Sequence, residues 1–437
     1  VTPTVRTSLS AAAAAFAGVL ATFVLVNPTQ WQAIFRASES QLGSWNSTLP
    51  TGVAVGCVLA VVACAVLLRA ASARPAWIAA VVATAVLIAA RMMVPGASDL
   101  DQLRLLYYAK CLAGGVLLGA AVAAVWSRPI PRLVLVAAAG STFVVAHTAD
   151  AWTPSTSVLG EPFWWILIPA LVLAVACAAV DDAVPDRIDR DTAIGVIATA
   201  ATLALAHRVL GEWIERQTGS QFRQWVVIAL CLVLVVALAE FWARRLSSPF
   251  LLAATAVAAV TPFVATVLGQ DYLRIRPWVP VAVGVVAVVV GVAISRWRPA
   301  PTIAVAVLAL VPLSVLIAPG ATDNRAWLLV QLAVLGVGIG LALGATLPDH
   351  AATAALGLAV PLLALVFTEV VGVTTSFVIY SGSYEPLPGV PLSTGWTSIS
   401  PTTTFDRAAA VALLLVVVFC ALAIRGLRTH RSAPRPE

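Results

Sequence analysis

The sequence predicts an all-α polytopic membrane protein of about fourteen transmembrane helices, with both termini in the cytoplasm. Three observations lead there. Of the 437 residues, 61% are apolar and only 11% are charged, whereas about a quarter of a soluble domain is charged. The apolar residues form fourteen runs of about the 17–25 residues that a helix needs to cross roughly 30 Å of hydrocarbon. Arginine is unevenly shared between the two sets of joins: fifteen fall on the side of the N-terminus and nine on the other, the bias expected if that side is cytoplasmic.

The runs occupy 9–26, 52–68, 76–94, 105–126, 133–149, 163–180 and 192–209, then 225–242, 250–269, 278–295, 302–318, 327–346, 352–373 and 407–424. The first is a retained helix rather than a signal peptide, because "VLVNPTQWQA" offers no small-residue cleavage site. Between the second and third, "RAASARP" is long enough only for a tight helix hairpin. "SRPIPR" and "RWRPAP" use proline to stop one helix and start the next. The sixth begins with a Trp pair, the seventh ends at His207 and Arg208, and the eighth carries Glu240 one turn before Arg244, a helical ion-pair spacing. Pro169, Pro312 and Pro361 each remove a backbone hydrogen bond within a run and mark possible kinks. The longest external loops, 27–51 and 374–406, are too short for a folded domain. The basic tail after residue 424, "RGLRTHRSAPRPE", reads as a topology anchor.

Composition excludes several classes. The net charge of +6 reflects arginine held at a membrane face, and no nucleic-acid partner is expected. Six cysteines, all inside apolar runs and none in a CxxC, give neither a disulfide frame nor a zinc site. The one lysine, Lys110, follows "RLLYYA" rather than a glycine-rich phosphate loop, so this chain alone does not drive transport with ATP. Histidines 147, 207, 350 and 430 lie scattered at helix ends, which disfavours haem. No cofactor is expected. Abundant Ala, Val and Arg with a single Lys fit a GC-rich bacterial genome such as an actinobacterium's, and the expected location is the plasma (inner) membrane.

Several strings resemble the fourteen-helix drug:proton antiporter branch of the major facilitator superfamily. "FAGVLATFVLVNPTQWQAIFRASESQLGSWNSTL" is similar to that branch's opening, with Trp45 at the start of the second helix. "RLLYYAKCLAGGVLLGAA" resembles its Arg-x-x-x-Gly helix, with Lys110 in the arginine position and Gly114 four residues on. "EPFWWILIPAL", "EFWARRLSSPFLL" and "VLGVGIGLALG" follow in the family's order, so the resemblance spans essentially the whole chain. It implies a 6+2+6 arrangement: a six-helix half over 1–180, two inserted helices over 192–242, a second half over 250–424 and the tail 425–437. The departures are specific. Ala21 stands near where the family usually has an Asp. The cytoplasmic gate loop "LLRAASARPAW" keeps Arg69 and Arg74 without an Asp. The fifth helix lacks a Gly-Pro motif. Fold therefore transfers better than activity.

Charges inside spans need a reason, since each costs roughly 2.5–3.5 kcal/mol at mid-membrane. Lys110 is expected to face the central cavity and orient a head group, with interfacial anchoring as the plain reading. Glu369 is a candidate proton site. Arg91 and His207 read either as interfacial anchors, since long basic chains reach water from this depth, or as coupling residues. Gly114, Gly115 and Gly119, and Gly336, Gly340 and Gly344, form small faces that admit close helix packing, or sliding during gating. With no ionisable group at mid-membrane, the cavity should be lined by Ala, Val, Leu, aromatic residues and hydroxyls such as Ser141 and Thr142.

That pattern points to a secondary transporter, not an enzyme, that exports lipophilic or amphipathic compounds by alternating access. The expected contacts are membrane lipids, a lipophilic small molecule and a membrane-protein partner. The alternative is a non-transporting subunit or scaffold of a cell-envelope complex. A polytopic glycosyltransferase is third, because the long loops carry only Glu39, Glu385 and Asp406 as carboxylates.

Overall fold

The computed structural model describes residues 3–26, 39–70, 72–96, 99–146, 159–181, 183–184, 187–217, 221–263, 276, 278–317, 324–372 and 407–432. Among them all regular structure is helical. The helices are α1 (Pro3–Val26), α2 (Glu39–Leu67), α3 (Arg74–Met93), α4 (Leu100–Val125), α5 (Pro129–Val145), α6 (Trp164–Val180), α7 (Arg190–Glu215) and α8 (Gln221–Arg245). They continue as α9 (Pro249–Phe263), α10 (Trp278–Trp297), α11 (Pro301–Ile317), α12 (Arg325–Ala345), α13 (Ala351–Ala359), α14 (Leu365–Gly372) and α15 (Arg407–Ser432). Each apolar run of the sequence overlaps one of them, the thirteenth being split into α13 and α14; α2 begins at Glu39, inside the stretch 27–51 expected as an external loop.

Ten helical stretches among the described residues are long and apolar enough to cross a membrane, α13–α14 counting as one. The helices α5, α6, α9 and α11, of 15–17 residues, are shorter. The chain is a multi-pass membrane protein. Its helix starts are written locally. Prolines 129, 249 and 301 occupy the first helical position of α5, α9 and α11, where their missing N–H has no intrahelical acceptor to lose. Asp189 caps α7 by accepting from Asp191 N at 3.2 Å and Thr192 N at 3.3 Å, and Asn324 caps α12 by accepting from Ala326 N at 3.0 Å.

Packing follows a pattern that recurs along the chain. In the first six helices α1 packs on α5 and α6, α2 on α4, and α3 on both α4 and α6. From α9 onward the same scheme returns. There α9 packs on the broken α13–α14 and on α15, α10 on α12, and α11 on both α12 and α15. The two sets meet where α5 touches α10 and α12 and where α2 touches α13. Between them in sequence, α7 packs on α2, α8 and α14. Glycine makes the tightest of these pairs possible. A Cβ on Gly119 would lie 3.0 Å from the Ala60 carbonyl carbon of α2, and one on Gly340 would lie 2.9 Å from the Val292 amide of α10.

Polar contacts tie neighbouring helix ends. At the face where α1 begins, Arg128 between α4 and α5 donates to Ser10 Oγ at 3.1 Å, and Ala73 N donates to Ala183 O at 2.7 Å. At the opposite face, Arg104 of α4 donates to Ser44 of α2, and Arg208 of α7 donates to Thr51 of α2 at 3.1 Å.

Candidate functional site

The interruption between α13 and α14 shapes the site. Proline 361 has no N–H to continue the ladder, so α13 stops at Ala359. Residues Val360–Leu363 make one 3₁₀ turn, and α14 restarts at Leu365. Against this turn lies a cavity of about 450 Å³. It is lined by the end of α1 at Leu25, the part of α2 around Pro50, Tyr107 of α4, Phe143 of α5, His207 and Arg208 of α7, and Thr261 of α9. Residues from both recurring sets of helices and from α7 therefore meet around one space.

Most hydroxyl groups on its wall are already used. Tyr107 donates to Leu49 O at 2.9 Å, Thr261 to Val257 O at 3.3 Å and Thr368 to Leu365 O at 2.7 Å. Two nitrogens are not. His207 is 3% exposed, and its Nδ1 lies 2.8 Å from Leu203 O. In the neutral ring Nδ1 therefore donates and Nε2 is left as an acceptor; Nε2 is buried with no hydrogen-bond partner among the described residues. The ring packs 5.9 Å from Phe367 of α14. Arg208 spends Nε on Thr51, and its Nη2 lies 3.6 Å from Glu212 Oε2. Its Nη1 is buried and unpartnered among the described residues.

A separate void of about 20 Å³ lies near Thr22, Gly140 and Pro361. Beyond it, Trp126 at the end of α4 donates from Nε1 to Pro348 O at 3.0 Å. That bond ties the first set of helices to the join between α12 and α13. Nearby, Asp181 at the end of α6 is 6% exposed; it accepts from Trp77 Nε1 at 2.9 Å and pairs with Arg128. Sequence reading missed this cluster. The available signal was an acidic residue ending a span on the same face as Arg128.

The residues singled out in the sequence are dispersed. Lys110 is 3% exposed, but it turns away from the cavity: its ammonium donates to Leu159 O and, at 3.3 Å, to Gly160 O, and it lies 5.7 Å from the Tyr107 ring. Arg91 donates to Pro162 O and stacks 4.9 Å over Trp164. Both cations thus hold the strand of chain leading into α6. Glu369, half-buried on α14, follows Thr368 but is not on the cavity wall.

The glycines lie inside each set rather than between them. A Cβ on Gly114 would meet Val24 Cγ1 at 2.7 Å and one on Gly115 would meet the Gly56 carbonyl carbon at 2.8 Å. Gly336 and Gly344 face Ala287 and Ser295 of α10. Arg69 is exposed in the turn after α2, and Arg74 opens α3.

Ser141 and Thr142 line a second, larger space, a crevice of about 590 Å³ among α1, α5, α6 and α10, walled by Ala, Val, Leu and aromatic residues and apolar apart from these hydroxyls and Arg296. Their neighbour Phe143 points to the other side of α5, into the cavity at the broken helix. That cavity is not free of ionisable groups, since His207 and Arg208 lie on it. The sequence placed them at the end of a span because apolar scanning stops at charge. The helix itself runs on to Glu215, leaving His207 eight residues, about 12 Å at 1.5 Å per residue, from its end.

No family model matches the chain, and no curated protein matches it. Among solved structures it is similar to the inward-open conformation of the xylose transporter XylE from E. coli, with 13% identity, 95% of this chain and 94% of that chain covered, and a TM-score of 0.49.

Proposed function

We propose that the chain is a secondary transporter of the plasma membrane with both termini in the cytoplasm, which moves lipophilic or amphipathic compounds outward by alternating access. One observation carries this reading: a cavity of about 450 Å³ lies at a broken helix, where residues of two recurring sets of helices converge. Discontinuous helices at the junction of repeated units are where secondary transporters bind their cargo. The recurrence of packing partners supports a major-facilitator-like 6+2+6 division, with 1–180 and 250–424 as the halves and 192–242 as inserted helices. The Trp126–Pro348 bond is the inner closure that must part when the cavity turns to the other face. Apolar walls suit a lipophilic body, while Arg208 and His207 suit a polar end.

Everted membrane vesicles test this. Uptake of a lipophilic dye that depends on the pH gradient, and falls when Arg208 is replaced by Gln, is the expected result. Glu369→Gln examines the second proton candidate in the same assay, and undiminished uptake assigns it no coupling role. No dye movement, with the protein copurifying with a stable envelope partner, would replace transport by the scaffold reading.

A further inference from the structure

The crevice of about 590 Å³ among α1, α5, α6 and α10 shares no wall residue with the cavity at the broken helix. Its rim is open. Ile130 of α5, Trp165 of α6 and Val289 of α10 border it and are 50%, 62% and 48% exposed. Apolar side chains exposed along a membrane span face lipid, so the crevice opens sideways into hydrocarbon rather than into water. Of the two hydroxyls on its wall, Thr142 spends its own on Ala138 O at 2.9 Å.

The length of the crevice and the charge at one end define the occupant. A Cβ on Gly284 of α10 would meet Val145 of α5 at 2.7 Å, and one on Gly140 of α5 would meet Val288 of α10 at 3.3 Å. The two helices therefore run antiparallel. Arg296, in the last turn of α10, comes level with the first turns of α5, at the face where α1 begins. From Val281 to Arg296 the α10 wall is about 22 Å long at 1.5 Å per residue. One leaflet contributes roughly 15 Å to a 30 Å hydrocarbon core, so a single acyl chain fits along this wall with its head group at the Arg296 end.

Arg296 is exposed, and no carboxylate pairs with it among the described residues. Its stem can line an apolar wall while the guanidinium stays at head-group level, where it matches a phosphate with two parallel hydrogen bonds. A second copy of a chain of net charge +6 would bring like charge to this end, whereas an anionic lipid brings the opposite one. We propose that the crevice is a binding site for an anionic phospholipid of the leaflet at that face, with one acyl chain lodged between α5 and α10 and the phosphate on Arg296. Because α5 and α10 belong to different sets of helices, the lipid bridges the two. The site is independent of what the cavity at the broken helix carries.

Native mass spectrometry of the full chain, delipidated in mild detergent, tests this with dioleoylphosphatidylglycerol against dioleoylphosphatidylcholine, which share their chains and differ in net charge. The first phosphatidylglycerol should bind about fivefold more tightly, the effect of one arginine on an anionic lipid. Arg296→Gln should bring the two lipids level. Val289→Trp, which fills the crevice from its exposed rim, should weaken the first binding step of both lipids at least tenfold. Both positions are exposed, so the melting temperatures should match that of the unchanged chain. Arg298→Gln, two residues beyond Arg296 and off the crevice wall, should keep the preference, which separates a site from the diffuse field of a basic face.

Equal binding of the two lipids by the unchanged chain overturns the site. So does a preference that survives Arg296→Gln or is lost in Arg298→Gln, and so does undiminished lipid binding in Val289→Trp. A dimer that Val289→Trp dissolves, with no saturable lipid, would overturn it in favour of a second copy.

Discussion

Lys110 and His207 are both visible in the sequence as ionisable residues within spans, and the structure gives them different surroundings. A buried ammonium bonded to two carbonyls anchors chain rather than cargo. Hydrogen bonds to charged groups contribute about 1.5–3 kcal/mol each, so Lys110→Met should lower thermal stability by roughly 2 kcal/mol while leaving dye transport by the folded protein within a factor of two. A thermal melt and a vesicle transport assay on the same variant check this, and lost transport at unchanged stability would restore Lys110 to the substrate path. Which charge faces a cavity was not legible, because that depends on the rotation of α4 and α7 against neighbours distant in sequence. What was legible is that a charge in a span must have a partner. Asp181 belongs at this scale too. Its pair with Arg128 is largely buried, and removing one member leaves the other uncompensated. Asp181→Asn is expected to destabilise this end of the molecule by about 3 kcal/mol, read as a lower melting temperature that Arg128→Met in the same chain partly recovers.

At the scale of helices, the sequence located every apolar run but misjudged where polarity ends one. The helix α7 continues through Glu212 and Glu215, because two carboxylates on a helix that reaches the membrane surface are compatible with helical backbone though not with an apolar window. The split of the thirteenth run was foreshadowed by Pro361, but a proline alone distinguishes a kink from a break only when its neighbours are seen. Here the 3₁₀ turn and the cavity beside it make it a break. The glycine faces were legible as small surfaces, for close packing or for sliding. Their partners, α2 for α4 and α10 for α12, lie within one set, which favours static packing over sliding between sets. Gly340→Val should therefore reduce folded yield and lower the melting temperature, since a side chain there meets the α10 backbone. A stable variant with altered transport would point to gating instead.

For the whole molecule, composition alone established the membrane setting, and the even spacing of runs established the many-helix layout. Tertiary pairing was not readable from one sequence, because nearly every span is Ala-, Val- and Leu-rich and no interface carries a distinctive pattern. The structure supplies the recurrence of partners, the cavity between the sets and the inner bond from Trp126 to Pro348. If that bond closes a gate, locking it must stop turnover without disturbing the cavity. The most direct measurement is dye transport by a Trp126→Cys/Pro348→Cys double variant, with its native cysteines replaced, before and after treatment with a reducible bis-methanethiosulfonate crosslinker in proteoliposomes. The crosslink is expected to abolish dye movement and reductant to restore it. Undiminished transport across the closed link would contradict it.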